Sequence, residues 1–272
     1  MAAFDAPRRL VSTLGFWLAI AFVPGVSLAQ TAQDHRGNRI EPFRQSDIVL
    51  DGRENRGLAC TADRSWCAEL KWSEIESRLT LLIGPEEELD SQSPTYAYIL
   101  PNGLVGDGGV SIWGSIVIEK GGAVMVGLTL SKETRRSGFR SYQRRLLLLR
   151  AEPGRGSLVP VLEVPISSVV EMAPCAAPDE RPTVSSGCYN RLYFDTLFTL
   201  VPLLAPDRPA LVMVARAVEY PGETPAPACT FTRSFFFDPE LGWYVPDAPY
   251  RPAQSFLTPD RDVSASGQAC VI

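Results

Sequence analysis

Beyond residue 45 the apolar positions fall into short runs that break at Gly, Pro or Asp and are rich in β-branched and aromatic side chains, which is the pattern of β-strands. Residues 66–72, 78–83, 96–100, 112–118 and 123–130 read this way, as do 142–150, 159–166, 192–204, 210–220, 230–237 and 243–245. No window of helical length carries a 3.6-residue period, and the 23 prolines leave few places for a long helix. The single stretch with helical character, residues 72–77, is too short to stand alone. The joints are as informative as the runs. Residues 119–122 end in Gly121-Gly122, and glycine supplies the positive φ of a tight hairpin. Residues 205–209 and 238–242 use Pro, Asp and Gly to the same end. Strands joined this closely run antiparallel. The expected fold class is therefore all-β: antiparallel strands joined by tight hairpins, β-propeller-like or a two-sheet sandwich. Trp66, Trp113 and Tyr189 each open a strand-like run, but at uneven intervals, so both architectures stay open.

The N-terminus follows a different pattern. Arg8 and Arg9 precede an apolar run over residues 10–23, Pro24-Gly25 breaks it, and Ser27-Leu28-Ala29 places small side chains where a signal peptidase needs them. Residues 1–29 are expected to be a signal peptide. An uncleaved anchor is the alternative, since a membrane span needs ~20 residues, but the helix-breaking pair before a small-x-small site favours cleavage. A stable membrane span is not expected after cleavage. The expected location is periplasmic or secreted. Residues 30–45 are polar and aperiodic and read as a flexible lead-in. Residues 46–272 read as a single all-β domain, its tail extended across the surface by Pro246, Pro249 and Pro252.

In an oxidising compartment the six cysteines, Cys60, Cys67, Cys175, Cys188, Cys229 and Cys270, imply a disulfide framework. Sequential pairing is the expectation, because Cys60 with Cys67 and Cys175 with Cys188 each close a short loop, and Cys229 with Cys270 would pin the tail. None of the spacings is a zinc or redox C-x2-C, and one histidine cannot support a mixed Cys/His site. No metal and no other cofactor is expected.

Charge narrows the partners. The formal net charge is −5, so counterion release from nucleic acid and attraction to an anionic membrane have no basis, and no nucleic-acid partner is expected. The chemistry of nucleophilic catalysis is equally thin. His35 lies in the polar lead-in without a scaffold to hold it against a serine or cysteine. Residues 86–90, four of five acidic, lack the spaced oxygens and the glycine of a calcium loop. The glycine-rich residues 102–109 are followed by a strand where a phosphate cradle needs a helix. Ser131 and Lys132, adjacent on a strand, would point to opposite faces.

One surface feature stands out. Arg135, Arg136, Arg140, Tyr142 and Arg144, with Phe139 and Arg145 among them, form the basic cluster of the chain. At alternating strand positions such arginines can grip carboxylates bidentately, and the stretch 132–140 reads as the loop that carries them. The resulting expectation is an exported envelope protein, more consistent with a non-enzymatic binding or interaction module than with an enzyme, its partner an envelope protein or a glycan. Two alternatives remain open. One is a secreted glycan hydrolase using two facing carboxylates. The other is an inhibitor of a secreted hydrolase, presenting residues 176–187 between Cys175 and Cys188.

Overall fold

The computed structural model describes residues 32–34, 36–45, 56–73, 76, 78–89, 96–101, 109–136, 139–154, 156–172, 190–200, 208–221 and 228–248. Fifteen strands and one short helix make up these segments. Every pairing within the two sheets is antiparallel.

The larger sheet has ten strands. In chain order they are β1 (Ala32–Gln33), β2 (Arg39–Pro42), β8 (Val110–Ile118), β9 (Val124–Arg136), β10 (Phe139–Ala151), β11 (Leu158–Met172), β12 (Asn190–Leu200), β13 (Leu211–Pro221), β14 (Cys229–Asp238) and β15 (Trp243–Pro246). Each pairs with the next in that order. The smaller sheet is the excursion between β2 and β8: β3 (Arg44–Gln45), β4 (Arg56–Cys60), β5 (Cys67–Ser73), β6 (Arg78–Gly84) and β7 (Tyr96–Ile99). Helix α1 (Glu86–Leu89) follows β6. The described strands thus form two sheets and no ring of blades, which is the two-sheet member of the pair of architectures left open by sequence.

The apolar runs are explained by burial on two faces. In the β9–β10 register Val124 faces Ala151, Val126 faces Leu149 and Leu128 faces Leu147. These side chains pack with Leu70, Leu81 and Ile83 of the small sheet. The alternate positions, Met125, Leu146 and Leu148, pack with Leu211, Met213, Phe235 and Tyr244 from the far half of the large sheet. The large sheet therefore bends so that β12–β15 cover β8–β10 on one side while the small sheet covers them on the other. A strand buried on both faces needs no polar alternation, and residues 146–149 are four leucines in a row. Each such side chain contributes roughly 1.5–3 kcal/mol of burial.

Three irregularities shape the bend. β11 is bulged at two places, where its pairing with β10 slips between Arg144 and Arg145 and between Leu148 and Leu149. Pro165 and Pro160 stand at these slips, where a missing N–H costs no regular ladder bond. In β8 the register jumps from Ile112–Leu128 to Ile116–Val126, so Trp113, Gly114 and Ser115 together oppose Gly127. Beside that bulge the chain passes from β2 to β3, and the Phe43 N–H donates to the Gly114 carbonyl at 3.0 Å.

Two expectations are corrected here. The segment read as a flexible lead-in carries β1, β2 and β3, with Ile40 and Phe43 buried. Its polar residues close a turn: Asp34 Oδ1 accepts from the Arg36 and Asn38 N–H groups, and Asn38 Nδ2 donates to Asp34 Oδ2 at 2.7 Å. The stretch 132–140, read as a loop, is mostly strand, because β9 runs to Arg136 and β10 resumes at Phe139. Cross-strand ion pairing lets these charged residues stay in the ladder.

Cys60 and Cys67 form a disulfide across directly paired positions of β4 and β5. Their turn is held by Asp63, which accepts from the Thr61 and Ser65 hydroxyls and the Ser65 N–H. These bonds hold the Asp63 carboxyl below its ordinary value, the Thr61 bond contributing most. Cys175, Cys188 and Cys270 lie outside the described residues, as do the expected signal peptide, His35, residues 102–108 and residues 176–187. Among the described residues no helix is long and apolar enough to cross a membrane.

Candidate binding groove

Gly127 is the local reason a groove exists. A Cβ there would lie 2.7 Å from the Trp113 Cβ and 2.6 Å from Leu146 Cδ1. The β8 bulge thus turns Trp113 into the space that a side chain at 127 would fill. From there its indole meets Phe198 of β12 edge-on, with centroids 6.3 Å apart, and Phe198 leans on Phe235. The aromatic wedge holds β12 and β8 apart above the core. β11 pairs with β12 only from Ser167 onward, so the two strands part at Ile166.

The space between has a volume of about 860 Å³. One wall is the small sheet, with Gly57, Ala59, Leu70, Trp72 and Leu79. The other runs from the β8 bulge past Thr129, Arg144 and Ile166 to Asp195, Thr196, Leu197 and Phe198. Trp72 and Leu197 are 39% and 61% exposed and mark the mouth. Thr196 Oγ1 donates to the Ile166 carbonyl at 3.1 Å and ties the splayed strands together. A cleft of this size, lined by polar and apolar groups in similar measure, has room for a small ligand.

The basic cluster sits above the groove on the same sheet, and the register shows which members share a face. A row across the strands holds Ser131, Arg144, Ser167, Asp195 and Arg216. Two residues further from the core the next row holds Glu133, Tyr142, Val169 and Tyr193. Two residues beyond that stand Arg135, Arg140 and Glu171. Alternate strand positions point to one side, so Arg135, Arg140, Tyr142 and Arg144 share a face. For Arg136 the structure describes the backbone alone, paired with Phe139 at the end of the hairpin.

These arginines differ in what neutralises them. Glu133 Oε1 accepts from Arg135 Nε at 2.7 Å and from Arg140 Nε at 3.0 Å. The two bonds, Arg135 first, hold the Glu133 carboxyl below its ordinary value. Arg145, on the opposite face, pairs with Glu163 at 3.0 Å. Arg144 is the exception. Its Nε is buried without a hydrogen-bond partner, and no carboxylate among the described residues lies within ion-pair distance of it. Tyr142 above it donates its hydroxyl to Ser131 Oγ at 3.2 Å, and Tyr193 meets Tyr220 edge-on at 5.2 Å between centroids.

Alternation in the sequence pointed to Arg140, Tyr142 and Arg144. It did not point to Trp72, Trp113, Tyr193 or Asp195, which arrive through a bulge, a second sheet and a strand some fifty residues later. The spacing Tyr193-x-Asp195-x-Leu197 carries the same two-residue period and was the available signal.

The remaining sequence candidates stay apart from this site. Residues 86–89 form α1, where Glu86 pairs with Arg64 at 2.6 Å. Ser131 and Lys132 occupy successive positions of β9 and so face opposite ways. Among the described residues no group of three His, Cys, Asp or Glu is placed to hold a metal ion. The lining of the groove contributes one carboxylate, Asp195, whereas a carboxylate-based hydrolase needs two facing each other. No protein-family model matches the chain, and neither a curated protein nor a solved structure does.

Proposed function

We propose that this chain is an exported binding module of the cell envelope that takes an anionic ligand into the groove, with Arg144 as the ion-pairing contact. The export pattern of residues 1–29 and the Cys60–Cys67 disulfide support the compartment. The observation that carries the binding reading is the state of Arg144: a guanidinium Nε taken from water and given no acceptor, at the wall of a cleft of mixed polar and apolar lining. Leaving such a donor unmade costs about 1–3 kcal/mol, and an arriving carboxylate, sulfate or phosphate recovers it through a charge-assisted bond. Trp72, Trp113, Leu197 and Phe198 supply apolar walls for the body of the same ligand.

The test compares arginines on one face. Immobilised anionic ligands carrying carboxylate, sulfate or phosphate groups are screened with the wild type, with Arg144→Gln and with the double variant Arg135→Ala, Arg140→Ala. Arg144→Gln is expected to weaken retention about tenfold or more, since a hydrogen bond to a charged group contributes ~1.5–3 kcal/mol. The double variant is expected to weaken it much less, because Glu133 already neutralises both side chains. Undiminished retention by Arg144→Gln overturns the reading.

A further inference from the structure

We infer that the site continues out of the groove as a trough along β11, and that its occupant is an extended acidic glycan. The inference rests on the groove reading and adds the ligand class and its direction. At the Ile166 end of the groove β11 regains β12, and its residues facing the basic side are Ser167, Val169 and Glu171. The first two are small. The neighbouring strands carry larger side chains at the same rows: Arg144, Tyr142 and Arg140 on β10, and Asp195 and Tyr193 on β12. A low floor between two raised walls is a channel, and its floor from Ser167 to Glu171 spans roughly 13 Å at ~3.3 Å per residue.

The walls are aromatic where they stand opposite each other. Tyr142 and Tyr193 are paired to the same residue, Val169, and are 39% and 37% exposed. They stand about 10 Å apart at their backbones, two strand spacings, which leaves width for one sugar ring between phenol faces and hydroxyl tips. The cations line one wall. Arg144 at the groove end is the main cation, and Arg140, four residues away at the outer end, is a weaker second contact because Glu133 already bonds its Nε.

Strand pairing decides between a glycan and a peptide. An extended peptide gains affinity by adding to a free strand edge. From Ser167 to Met172, β11 is paired with β10 on one side and β12 on the other, so the trough floor offers no edge. Ring stacking and ion pairing are what it offers.

The experiment uses calorimetric titration of the full mature protein with two probes, the disaccharide and the octasaccharide of galacturonic acid. The octasaccharide is expected to bind about tenfold or more tightly than the disaccharide. Tyr142→Ala with Tyr193→Ala should abolish that advantage while leaving the disaccharide affinity in place, with an unchanged circular dichroism spectrum. Val169→Trp, which fills the floor, should do the same from a different position. Equal binding of the two lengths overturns the inference, as does equally tight binding of an octaglutamate peptide or a neutral oligosaccharide. Failure of both sugars while another anion still binds through Arg144 removes the trough and keeps the groove. Indifference of every ligand to Arg144→Gln removes the groove itself.

Discussion

Arg144 and Arg150 stand on the same strand and the same face of β10, and the fold treats them in opposite ways. Arg150 is 8% exposed and makes a bidentate pair with Glu119, Nε and Nη2 each 2.7 Å from a carboxylate oxygen. Its Nη1 donates to Glu152, which also meets Arg208, and the Arg208 guanidinium lies 3.5 Å over the Phe237 ring. Around this closed end Tyr244 donates its hydroxyl to the Pro209 carbonyl at 2.8 Å. Six residues up the strand, past the β11 bulge, Ser167 joins Arg144 to Asp195 of β12 in one row, and Arg144 lines the cleft. A buried guanidinium with every acceptor in place is architecture, and a half-buried one whose Nε is left open is an offer to a ligand.

The largest test of this contrast is to remove each guanidinium in turn. Arg150→Met strands Glu119, a carboxylate almost entirely out of water, and should lower the unfolding free energy by about 3–5 kcal/mol. Arg144→Met should cost nothing and should raise stability by up to about 1–3 kcal/mol, because it removes a donor left without an acceptor and strands no partner. Urea midpoints of the two variants against the wild type decide it. Equal losses would mean that Arg144 is a structural charge after all.

A smaller effect is expected at Gly127, which lies between the two ends. Gly127→Ala forces a methyl group against Trp113 and Leu146, and overpacking of this kind costs about 1–3 kcal/mol. The displaced indole should also report itself as a shift in tryptophan fluorescence. Neither Tyr244 nor Arg150 is among the atoms that a Cβ at 127 would meet, so the closed end should keep its own properties in this variant. A loss of both ends together would show that the groove is not a separable feature of the bend.

The closed, doubly covered part of the molecule was the part most legible from sequence. Residues 123–130 and 146–149 announce strands through unbroken apolar character, and β9 and β10 lie where those runs fall. Polar strands were harder. Residues 132–136 look like a loop because charge at four of the five positions resembles solvation, yet pairing of Arg135 and Arg140 with Glu133 keeps them in the ladder. Asp34 and Asn38 misled for the same reason: both are buried, but each satisfies the other, and Asn38 Oδ1 also accepts from the Lys120 N–H. Of the site, the share lying on one strand was readable by alternation. The share that depends on the Trp113 bulge and on the return of the sheet was not, because nothing local encodes which distant strand will face it.

The smallest effect concerns the seal on the closed end, and it carries a pH signature. Burial, and after it the nearby Glu119 charge, pushes the Tyr244 phenol above its ordinary value of 10.0, with Arg150 and Arg208 opposing less strongly. The raised value means the folded state holds the proton more tightly than the unfolded chain does. That contribution to stability is fully present below pH 10.0 and is lost as pH rises beyond it, where the unfolded chain gives up a proton the folded phenol retains, at about 1.4 kcal/mol per pH unit. Tyr244→Phe should cost about 1 kcal/mol below that pH, the usual value of one hydrogen bond, and should flatten the alkaline decline above it. Urea midpoints on either side of pH 10.0 for both proteins make the comparison. Parallel alkaline declines in the two would mean that the phenol ionises freely in the folded state, and then the end built around Arg150 is as open to water as the end built around Arg144.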